Sequence, residues 1–267
     1  SARRTQSTVG VLPAASAATV VPHEPAPMTA TRIVMNESVR GGRSIRPVQR
    51  DEQGGGSPRT QPGRVALMLP VKAFTDAKQR LSGMLDEANR IALARWCAER
   101  VVQAAGSLPV YVVCDDDEVA VWANTLGVSV VRCSGPGLNL AVEQGLAALG
   151  AAGFAYAVVV HGDLPLATSF DRITLDGGIT IVPDHRYDGT NALALPTALS
   201  GRFAFHYGHG SFRKHVAESI SHSPIVRVLL VDELAHDLDT PDDLADPRME
   251  EVRTWLRTNP ANPRSAH

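Results

Sequence analysis

Short apolar runs alternate with helical segments between residues 64 and 160, and this alternation constrains the fold more than any other feature of the sequence. The apolar runs have the length and composition of buried strands. They comprise residues 65–69, 110–114, 128–131 and 156–160. Apolar positions at helical spacing fill the intervals, at residues 87–105, 118–126 and 138–149. Because parallel strands need crossover helices, the pattern predicts an α/β fold with a doubly wound, mostly parallel sheet.

The alternation loosens after Asp163. Further strands are predicted at residues 179–182, 192–195 and 226–231, with a helix at 211–220. We interpret this part as a substrate-side insertion. Ligands in such folds bind beyond the carboxyl ends of the strands, so functional residues are expected in the loops that follow them.

Residues 1–63 differ from the rest of the chain. They contain no Phe, Trp or Tyr and carry eight arginines and four acids. Such a segment buries too little apolar area to offset an ordering cost of about 1–2 kcal/mol per residue. The sequence therefore predicts a disordered extension at residues 1–63, a folded domain at 64–260 and a flexible tail at 261–267. The scattered arginines favour a neutral extension over a nucleic-acid-binding or partner-binding arm.

Composition argues against several functional classes. The formal net charge of −2 gives no support for a nucleic-acid binder. Three cysteines without a C-x-x-C pair indicate neither a disulfide framework nor a thiolate zinc site. The apolar runs fall far short of the ~18 residues of a membrane span, and the N-terminus lacks a signal-peptide pattern. We expect a soluble, cytoplasmic protein with no membrane partner.

Three cations follow the first predicted strand: Lys72, Lys78 and Arg80. Such a cluster at the carboxyl end of a strand suits a polyphosphate, because it offsets the charge of the triphosphate and of its leaving group. The strand is followed neither by a Walker loop nor by a G-x-G-x-x-G motif. A solvated basic loop is the alternative, and spacing alone does not decide between them.

Acidic residues occupy two places that suit a metal ion. Asp163 ends the fourth predicted strand, and Asp237 and Asp239 alternate in an extended segment, so that they point the same way. One acid from a strand end and one from a distant segment suit Mg²⁺, which keeps several water ligands. Thr240 and Asp243 are instead predicted to form a helix capping box. A turn-capping role for Asp163 remains the alternative.

Two segments have the character of anion cradles. Thr190 and Asn191 offer a hydroxyl and an amide at the start of a predicted strand. Gly208 and Ser211 belong to a glycine-rich turn before a predicted helix, where free N–H groups can meet a phosphate or a carboxylate. Ser211 is also the candidate N-cap of that helix.

Weaker candidates lie at the starts of two predicted helices. Gly137 and Asn139 enter the third helix and are candidates for contacting a nucleotide base or ribose. Lys214 and His215 lie one turn into the later helix and are expected to be solvated.

Seven motifs in a fixed order carry a resemblance to a known family. They are Pro70-Val71-Lys72, Ala77-Lys78-Gln79-Arg80-Leu81, Gly137-Leu138-Asn139, Gly162-Asp163-Leu164-Pro165, Gly189-Thr190-Asn191, Gly208-x-x-Ser211 and Asp237-Leu238-Asp239-Thr240-Pro241-Asp242-Asp243-Leu244. The set resembles the guanylyltransferases of coenzyme F-420 biosynthesis, which use 2-phospho-L-lactate or phosphoenolpyruvate. The resemblance implies a GT-A-like fold of the nucleotide-diphospho-sugar transferase type. It also implies a GTP-dependent reaction that releases pyrophosphate.

The resemblance assigns roles to the candidate residues. It implies that Thr190, Gly208 and Ser211 bind the acceptor's phosphate and carboxylate, and that Asp163 holds Mg²⁺ with Asp239 or Asp237. The acceptor it implies is phosphoenolpyruvate, 2-phospho-L-lactate or 3-phosphoglycerate, which the sequence does not distinguish. The three cations after the first strand are then expected to stabilise the departing pyrophosphate. Proteins of related fold often dimerise, so the resemblance is compatible with a homodimer, although no apolar stripe in the sequence demands one.

Two other functions stay open at this stage. A nucleotide-sugar glycosyltransferase would use a D-x-D pair, which Asp115-Asp116-Asp117 or Asp237-Leu238-Asp239 allows. A non-catalytic nucleotide-binding protein would bind GTP without consuming it and would tolerate the loss of Asp163.

Overall fold

An eight-stranded sheet runs through the part of the chain that the computed structural model describes, residues 32–37, 63–173 and 175–259. Its strands are β1 (Arg32–Glu37), β2 (Val65–Pro70), β3 (Val110–Cys114), β4 (Ser129–Arg132), β5 (Tyr156–Val160), β6 (Ile179–Pro183), β7 (Thr190–Pro196) and β8 (Ile225–Leu230). They lie in the order β1-β8-β6-β7-β5-β2-β3-β4. Strand β7 runs antiparallel to β5 and β6, and the other neighbouring strands are parallel. The predicted mostly parallel sheet is confirmed.

Helices cover both faces of this sheet. They are α1 (Glu87–Ala104), α2 (Asp117–Thr125), α3 (Leu138–Ala151), α4 (Ser211–His222), α5 (Asp232–Ala235), α6 (Pro241–Ala245) and α7 (Glu250–Thr258). Leu67 and Leu69 of β2 pack in one core with α1 and α2, whereas Ala66 and Met68 pack in another with α3. The domain is therefore doubly wound, as predicted. None of these helices is both long and apolar enough to cross a bilayer.

Strand β1 departs from the prediction of disorder for residues 1–63. It pairs in parallel with β8, from Arg32 opposite Ile225 to Glu37 opposite Leu230. Ile33 is 50% exposed, so main-chain pairing rather than burial holds this edge strand. The compositional argument averaged over the whole segment and missed this short apolar run. The remainder of the extension up to residue 62, and the predicted tail at 261–267, lie outside the described residues.

A third apolar cluster connects helix α7, which the sequence analysis did not predict, to the loop carrying two of the candidate acids. Val252 of α7 packs in this cluster with Cys97 of α1 and with Leu238. Because Leu238 stands between Asp237 and Asp239, its burial fixes the segment that carries both carboxylates.

Candidate active site

Two adjoining cavities open at the carboxyl ends of the central strands, where this class of fold binds its ligands. The β5 cavity, of about 450 Å³, is lined among others by Lys78, His161, Gly162, Asp163, Gly208 and Asp239. The β3 cavity, of about 300 Å³, is lined among others by Asp115, Asp116, Cys133, Gly135 and Gly137. Pro70, Val71, Lys72 and Leu138 line both cavities, which therefore form one cleft.

The three acids predicted as metal ligands lie together, and two of them, Asp163 and Asp239, line the β5 cavity. One carboxylate oxygen from each of Asp163, Asp237 and Asp239 lies within 4.8 Å of the others. The N–H of Leu238 donates to the carbonyl of Asp163 at 3.0 Å. This bond joins the two distant segments, so their convergence depends on main-chain contact as well as on the side chains.

The start of helix α6 fixes the backbone of this acid cluster. Thr240 and Asp243 form the predicted capping box. The Oδ2 atom of Asp243 also accepts from the Asp239 N–H at 3.0 Å. Arg186, from the loop between β6 and β7, donates to the buried Asp243 carboxylate at 2.5 Å. The position of Asp239 is thereby set by contacts that leave its carboxylate to the cleft.

Lys78 supplies the counter-charge of the acid cluster. Its Nζ atom donates to Asp239 Oδ1 at 3.2 Å and lies 3.6 Å from Asp163 Oδ2. Burial lowers the pKa of Lys78, but attraction to Asp163 and Asp239 outweighs burial, and the pKa is raised above its ordinary value. The Lys78 backbone has a φ of 55°, a left-handed conformation that costs a non-glycine residue about 1–2 kcal/mol. Strain of this kind is typical of functional sites.

The acid cluster fits a divalent cation. The buried Oδ1 atoms of Asp163 and Asp237 have no hydrogen-bond partner among the described residues, and such orphaned atoms are costly. Burial and the repulsion of Asp163 and Asp239 raise the pKa of Asp237 to about 7. A cation would satisfy the orphaned oxygens and relieve the repulsion. Because all the donors are carboxylate oxygens, the site suits a hard ion such as Mg²⁺ or Mn²⁺.

The other two predicted cations occupy different surroundings. Lys72 is exposed and lines both cavities, so this residue lies at their junction. Arg80 is exposed on the 3₁₀ helix Gln79–Leu81 and lines neither cavity, so the structure does not bring it into the cleft with the other two. A buried arginine that sequence reasoning missed, Arg90, donates to the Ala77 carbonyl at 3.1 Å. This bond supports the strained turn at Lys78.

Thr190, at the start of β7, and His215, in α4, form a buried pair. The Nδ1 atom of His215 lies 3.0 Å from Thr190 Oγ1, and the His206 N–H donates to His215 Nε2 at 2.9 Å. Both Thr190 and His215 are almost fully buried, which corrects the expectation that His215 is solvated. Its helix face turns toward β7 and the aromatic rings of Phe203 and Tyr207. Burial accordingly lowers the pKa of His215 to about 3.

The glycine-rich turn before α4 places its residues differently from the prediction. Gly210, not Ser211, is the N-cap of α4, and Ser211 is the first helical residue. The reason is that Gly208 and Gly210 both adopt positive φ, 118° and 68°, which completes the turn one residue earlier. The carboxylate of Asp188 holds this turn by accepting from the Gly210 N–H at 3.1 Å. Gly208 lines the β5 cavity, whereas Ser211 is buried.

The two candidate asparagines make main-chain contacts. Asn139 accepts from the Tyr207 N–H at 2.7 Å and so ties the start of α3 to the turn before α4. Asn191 is buried and donates from its amide to the Leu234 carbonyl at 2.9 Å. Gly137, with a φ of 97°, lines the β3 cavity. The side-chain oxygen of Asn139 and the amide of Asn191 are thus engaged in positioning the loops.

Two aromatic residues beside the glycine-rich turn before α4 were not predicted as functional. His161 and Tyr207 have ring centroids 5.1 Å apart. Among the described residues, no hydrogen-bond partner reaches the buried Nε2 atom of His161 or the buried hydroxyl of Tyr207. Their proximity to the Gly162-Asp163 and Gly208 motifs is the one sequence signal that could have indicated them. His161 lines the β5 cavity, whereas Tyr207 lines neither cavity, and both unpartnered polar atoms are buried.

The strand end at Asp115 faces the β3 cavity. Arg132 of β4 donates to the carbonyl oxygens of Asp115 and Asp116 at 2.9 and 2.7 Å. It also pairs with the Asp117 carboxylate at 2.8 Å, while Asp116 caps α2 through Val119. The contacts of Asp115, Asp116 and Asp117 therefore fix the shape of the loop. Asp115 is exposed and lines the β3 cavity.

Comparison with known proteins identifies relatives of the chain. A protein family described as "Guanylyl transferase CofC like" matches residues 65–252. A phosphoenolpyruvate guanylyltransferase of Rubrobacter xylanophilus is 36% identical over 190 residues, covering 68% of this chain and 92% of that protein. A 2-phospho-L-lactate guanylyltransferase of Methanothermobacter thermautotrophicus is 30% identical over 195 residues, covering 68% and 83%.

Solved structures confirm the type of fold. A nucleotide-diphospho-sugar transferase of Desulfovibrio desulfuricans G20 gives a TM-score of 0.53 at 12% identity, covering 74% of this chain and 92% of that chain. A nucleotidyl transferase of Methanothermobacter thermautotrophicus gives 0.52 at 15% identity, covering 72% and 99%. At these identities the likeness concerns the fold alone.

Proposed function

The chain belongs to the guanylyl transferase CofC-like family, and on that premise we propose that it transfers GMP from GTP to a small phosphorylated three-carbon acid, releasing pyrophosphate. This reaction is a step of coenzyme F-420 biosynthesis. The acceptor is phosphoenolpyruvate, 2-phospho-L-lactate or 3-phosphoglycerate. The observation that carries the proposal is the half-buried acid cluster beside the buried Lys78 in a cleft with two connected cavities. The three free thiols support a cytoplasmic location.

The charges of the cleft favour one orientation of GTP. The β3 cavity presents the Asp115 carboxylate, which suits the N–H donors of a guanine base and repels phosphate. The β5 cavity is lined by Lys78, Asp163 and Asp239, which with a bound cation would suit the phosphates. Lys72 lies at the junction, where the α- and β-phosphates of GTP would pass. We therefore propose that guanine occupies the β3 cavity and that the reacting phosphorus lies in the β5 cavity.

The chemical step needs no general base. An oxygen of the acceptor phosphate, already ionised near pH 7, attacks the α-phosphorus of GTP and forms a new P–O bond. The bond between the α-phosphorus and the α–β bridging oxygen breaks, and pyrophosphate leaves with the electron pair. Catalysis then consists of positioning and charge neutralisation. Lys72 is the residue we assign to stabilising the departing charge.

We propose that Asp163 and Asp239, with Asp237, hold Mg²⁺. When bound, Mg²⁺ would neutralise phosphate charge and so allow two anionic substrates to approach. Lys78 would hold the two carboxylates in position, because it forms ion pairs with both Asp163 and Asp239. Thr190, Gly208 and Ser211 are the proposed binding residues for the acceptor's phosphate and carboxylate. Gly208 lines the β5 cavity, whereas Thr190 and Ser211 are buried and line neither cavity, so their proposed role rests on the family resemblance.

The test is pyrophosphate release by the full chain with GTP, Mg²⁺ and each of the three acids offered separately. We expect release with at least one acid, none with ATP in place of GTP, and none after addition of EDTA. Measurable GTP binding without release under any of these conditions would contradict the proposal and favour a non-catalytic nucleotide-binding protein.

A further inference from the structure

His215 touches neither cavity, yet its hydrogen bonds determine the direction of the Thr190 hydroxyl. The His206 N–H donates to His215 Nε2 at 2.9 Å, so Nε2 must carry a lone pair. In a neutral ring the proton is then on Nδ1. The opposite tautomer would bring two N–H donors together at that distance. The main chain of His206 therefore fixes the tautomer of His215.

The fixed tautomer makes Thr190 an acceptor in its contact with His215. The Nδ1–H group points to Thr190 Oγ1 at 3.0 Å and occupies one of its lone pairs. The hydroxyl proton of Thr190 is consequently left over for another partner. Among the described residues, His215 is the one side chain that hydrogen-bonds to this hydroxyl.

Packing keeps this arrangement in place. His215 has no exposed surface. The ring centroids of Tyr207 and Phe203 lie 4.7 and 6.3 Å from the centroid of the His215 ring. Burial, with some repulsion from His206 and His161, lowers the pKa of His215, so that the ring stays neutral. A second proton, which would remove the acceptor at Nε2, is therefore not taken up near neutral pH.

We propose that His215 is a positioning residue that orients the Thr190 hydroxyl so that its proton is donated to the anionic acceptor. This inference rests on the proposed function, in which Thr190 binds the acceptor. A donor with a preset direction strengthens binding of an anion because little reorientation is needed when the anion arrives. Sequence reasoning expected His215 to be solvated and gave it no such role.

Two substitutions of His215 test the hydrogen bonds of its two ring nitrogens separately. In His215→Asn the side-chain amide lies near the place of Nδ1 and still reaches Thr190 as a donor. In His215→Gln the longer side chain reaches the place of Nε2, satisfies the His206 N–H and leaves Thr190 without its donor. We expect His215→Gln to raise the acceptor KM about tenfold or more, with the GTP KM within twofold. His215→Asn should stay within about threefold of the wild type for both substrates.

The measurement is pyrophosphate release with phosphoenolpyruvate, or with whichever of the three acids the wild type uses. In a Thr190→Val background, His215→Gln should change the acceptor KM no further, because the two residues act on one bond. A purely structural role of His215 would instead raise the KM of acceptor and GTP alike. Equal acceptor KM values for the Asn and Gln variants would overturn the proposal.

A second measurement does not depend on the folding of the variants or on turnover. Long-range ¹H–¹⁵N correlation spectra of the wild-type protein report which ring nitrogen of His215 carries the proton. We expect protonated Nδ1 and bare Nε2 between pH 6 and pH 8. A proton on Nε2 would overturn the proposal. If the wild type releases no pyrophosphate with any acid, the proposed function fails, whereas the tautomer is still decided by the spectrum.

Discussion

The β5 cavity and the β3 cavity differ in how much of their geometry is fixed by the protein itself. In the β5 cavity, the Lys78 side chain is 5% exposed and donates a hydrogen bond to the Asp239 carboxylate. The backbone N–H of Asp239 in turn donates to the Asp243 carboxylate. In the β3 cavity, the Asp115 carboxylate is exposed, and Arg132 fixes only the main chain beneath it. The β5 cavity has a buried lysine that is paired with two half-buried carboxylates, whereas the β3 cavity has an exposed carboxylate on a loop whose main chain is fixed.

This difference is consistent with separate roles for the two cavities in nucleotidyl transfer. Stabilising developing charge requires groups that do not reorganise during the reaction, so buried and cross-linked side chains are suited to it. Recognition of a base needs donors and acceptors in the right place but tolerates small adjustments of the loop. We therefore expect substitutions in the β5 cavity to act mainly on kcat and those in the β3 cavity on the GTP KM.

The largest effect is expected for Asp163→Asn. The change keeps the shape of the side chain but removes one charge from the acid cluster, so we expect kcat to fall about 100-fold or more. The matched control is Asp171→Asn at an exposed acid outside both cavities, which should retain the wild-type rate. Steady-state pyrophosphate release measures both. A kcat for Asp163→Asn within twofold of the control would reject the metal assignment.

Asp115→Asn, in the β3 cavity, should give the next largest effect. A carboxylate can accept from both N1–H and the 2-amino group of guanine, whereas an asparagine amide offers only one acceptor. We expect the GTP KM to rise about tenfold or more, with kcat at saturating GTP unchanged. Asp117→Asn is the control, because the Asp117 carboxylate is bonded to Arg132 and does not line the cavity.

A fall in kcat without a change in the GTP KM would contradict the orientation of GTP proposed for the cleft. It would mean that the Asp115 carboxylate acts near the reacting phosphates. A comparison of GTP with inosine triphosphate, which lacks the 2-amino group, sharpens the test. Wild-type discrimination between these two nucleotides should be lost in Asp115→Asn.

The sequence predicted the sheet better than it predicted the side-chain environments of the cleft. Strand β3 and strand β5 begin and end where the apolar runs do, because burial on both faces requires continuous apolar residues. The convergence of Asp163 with Asp237 and Asp239 was expected from one strand end, one distant extended segment and the family resemblance. The solvation of His215 was predicted wrongly, because its burial depends on which face of α4 meets β7.

Other features had no local signal at all. Arg90 lies in a helix where an arginine is usually solvated, and its burial depends on the turn at Ala77 that folds over it. The capping shift from Ser211 to Gly210 depends on two backbone angles that the sequence does not specify. The first contact joins residues that are distant along the chain, and the second depends on unusual backbone angles. The spacing of apolar residues in the sequence indicates neither feature.

Asn139→Ala should produce a smaller effect that separates two interpretations. The sequence suggested contact with the base or ribose, whereas the structure shows the side chain accepting from the Tyr207 N–H at 2.7 Å. If Asn139 holds the turn that carries Gly208, its loss should raise the acceptor KM about two- to tenfold and leave the GTP KM unchanged. A change in the GTP KM alone would restore the base-contact interpretation. Measuring both KM values in the same assay decides the question.

The smallest effect is expected for Arg80→Ala, and its value lies in comparison with Lys72→Ala. Both residues are exposed cations after β2, so composition and spacing treat them alike. Lys72 lines both cavities and Arg80 lines neither, so we expect less than about a twofold change in kcat/KM for Arg80→Ala and about a tenfold or larger loss for Lys72→Ala. Equal losses would mean that Arg80 reaches the phosphates when GTP is bound. In that case the turn containing Lys78 moves on binding, and the β5 cavity is less rigid than the ion pairs of Lys78 indicate.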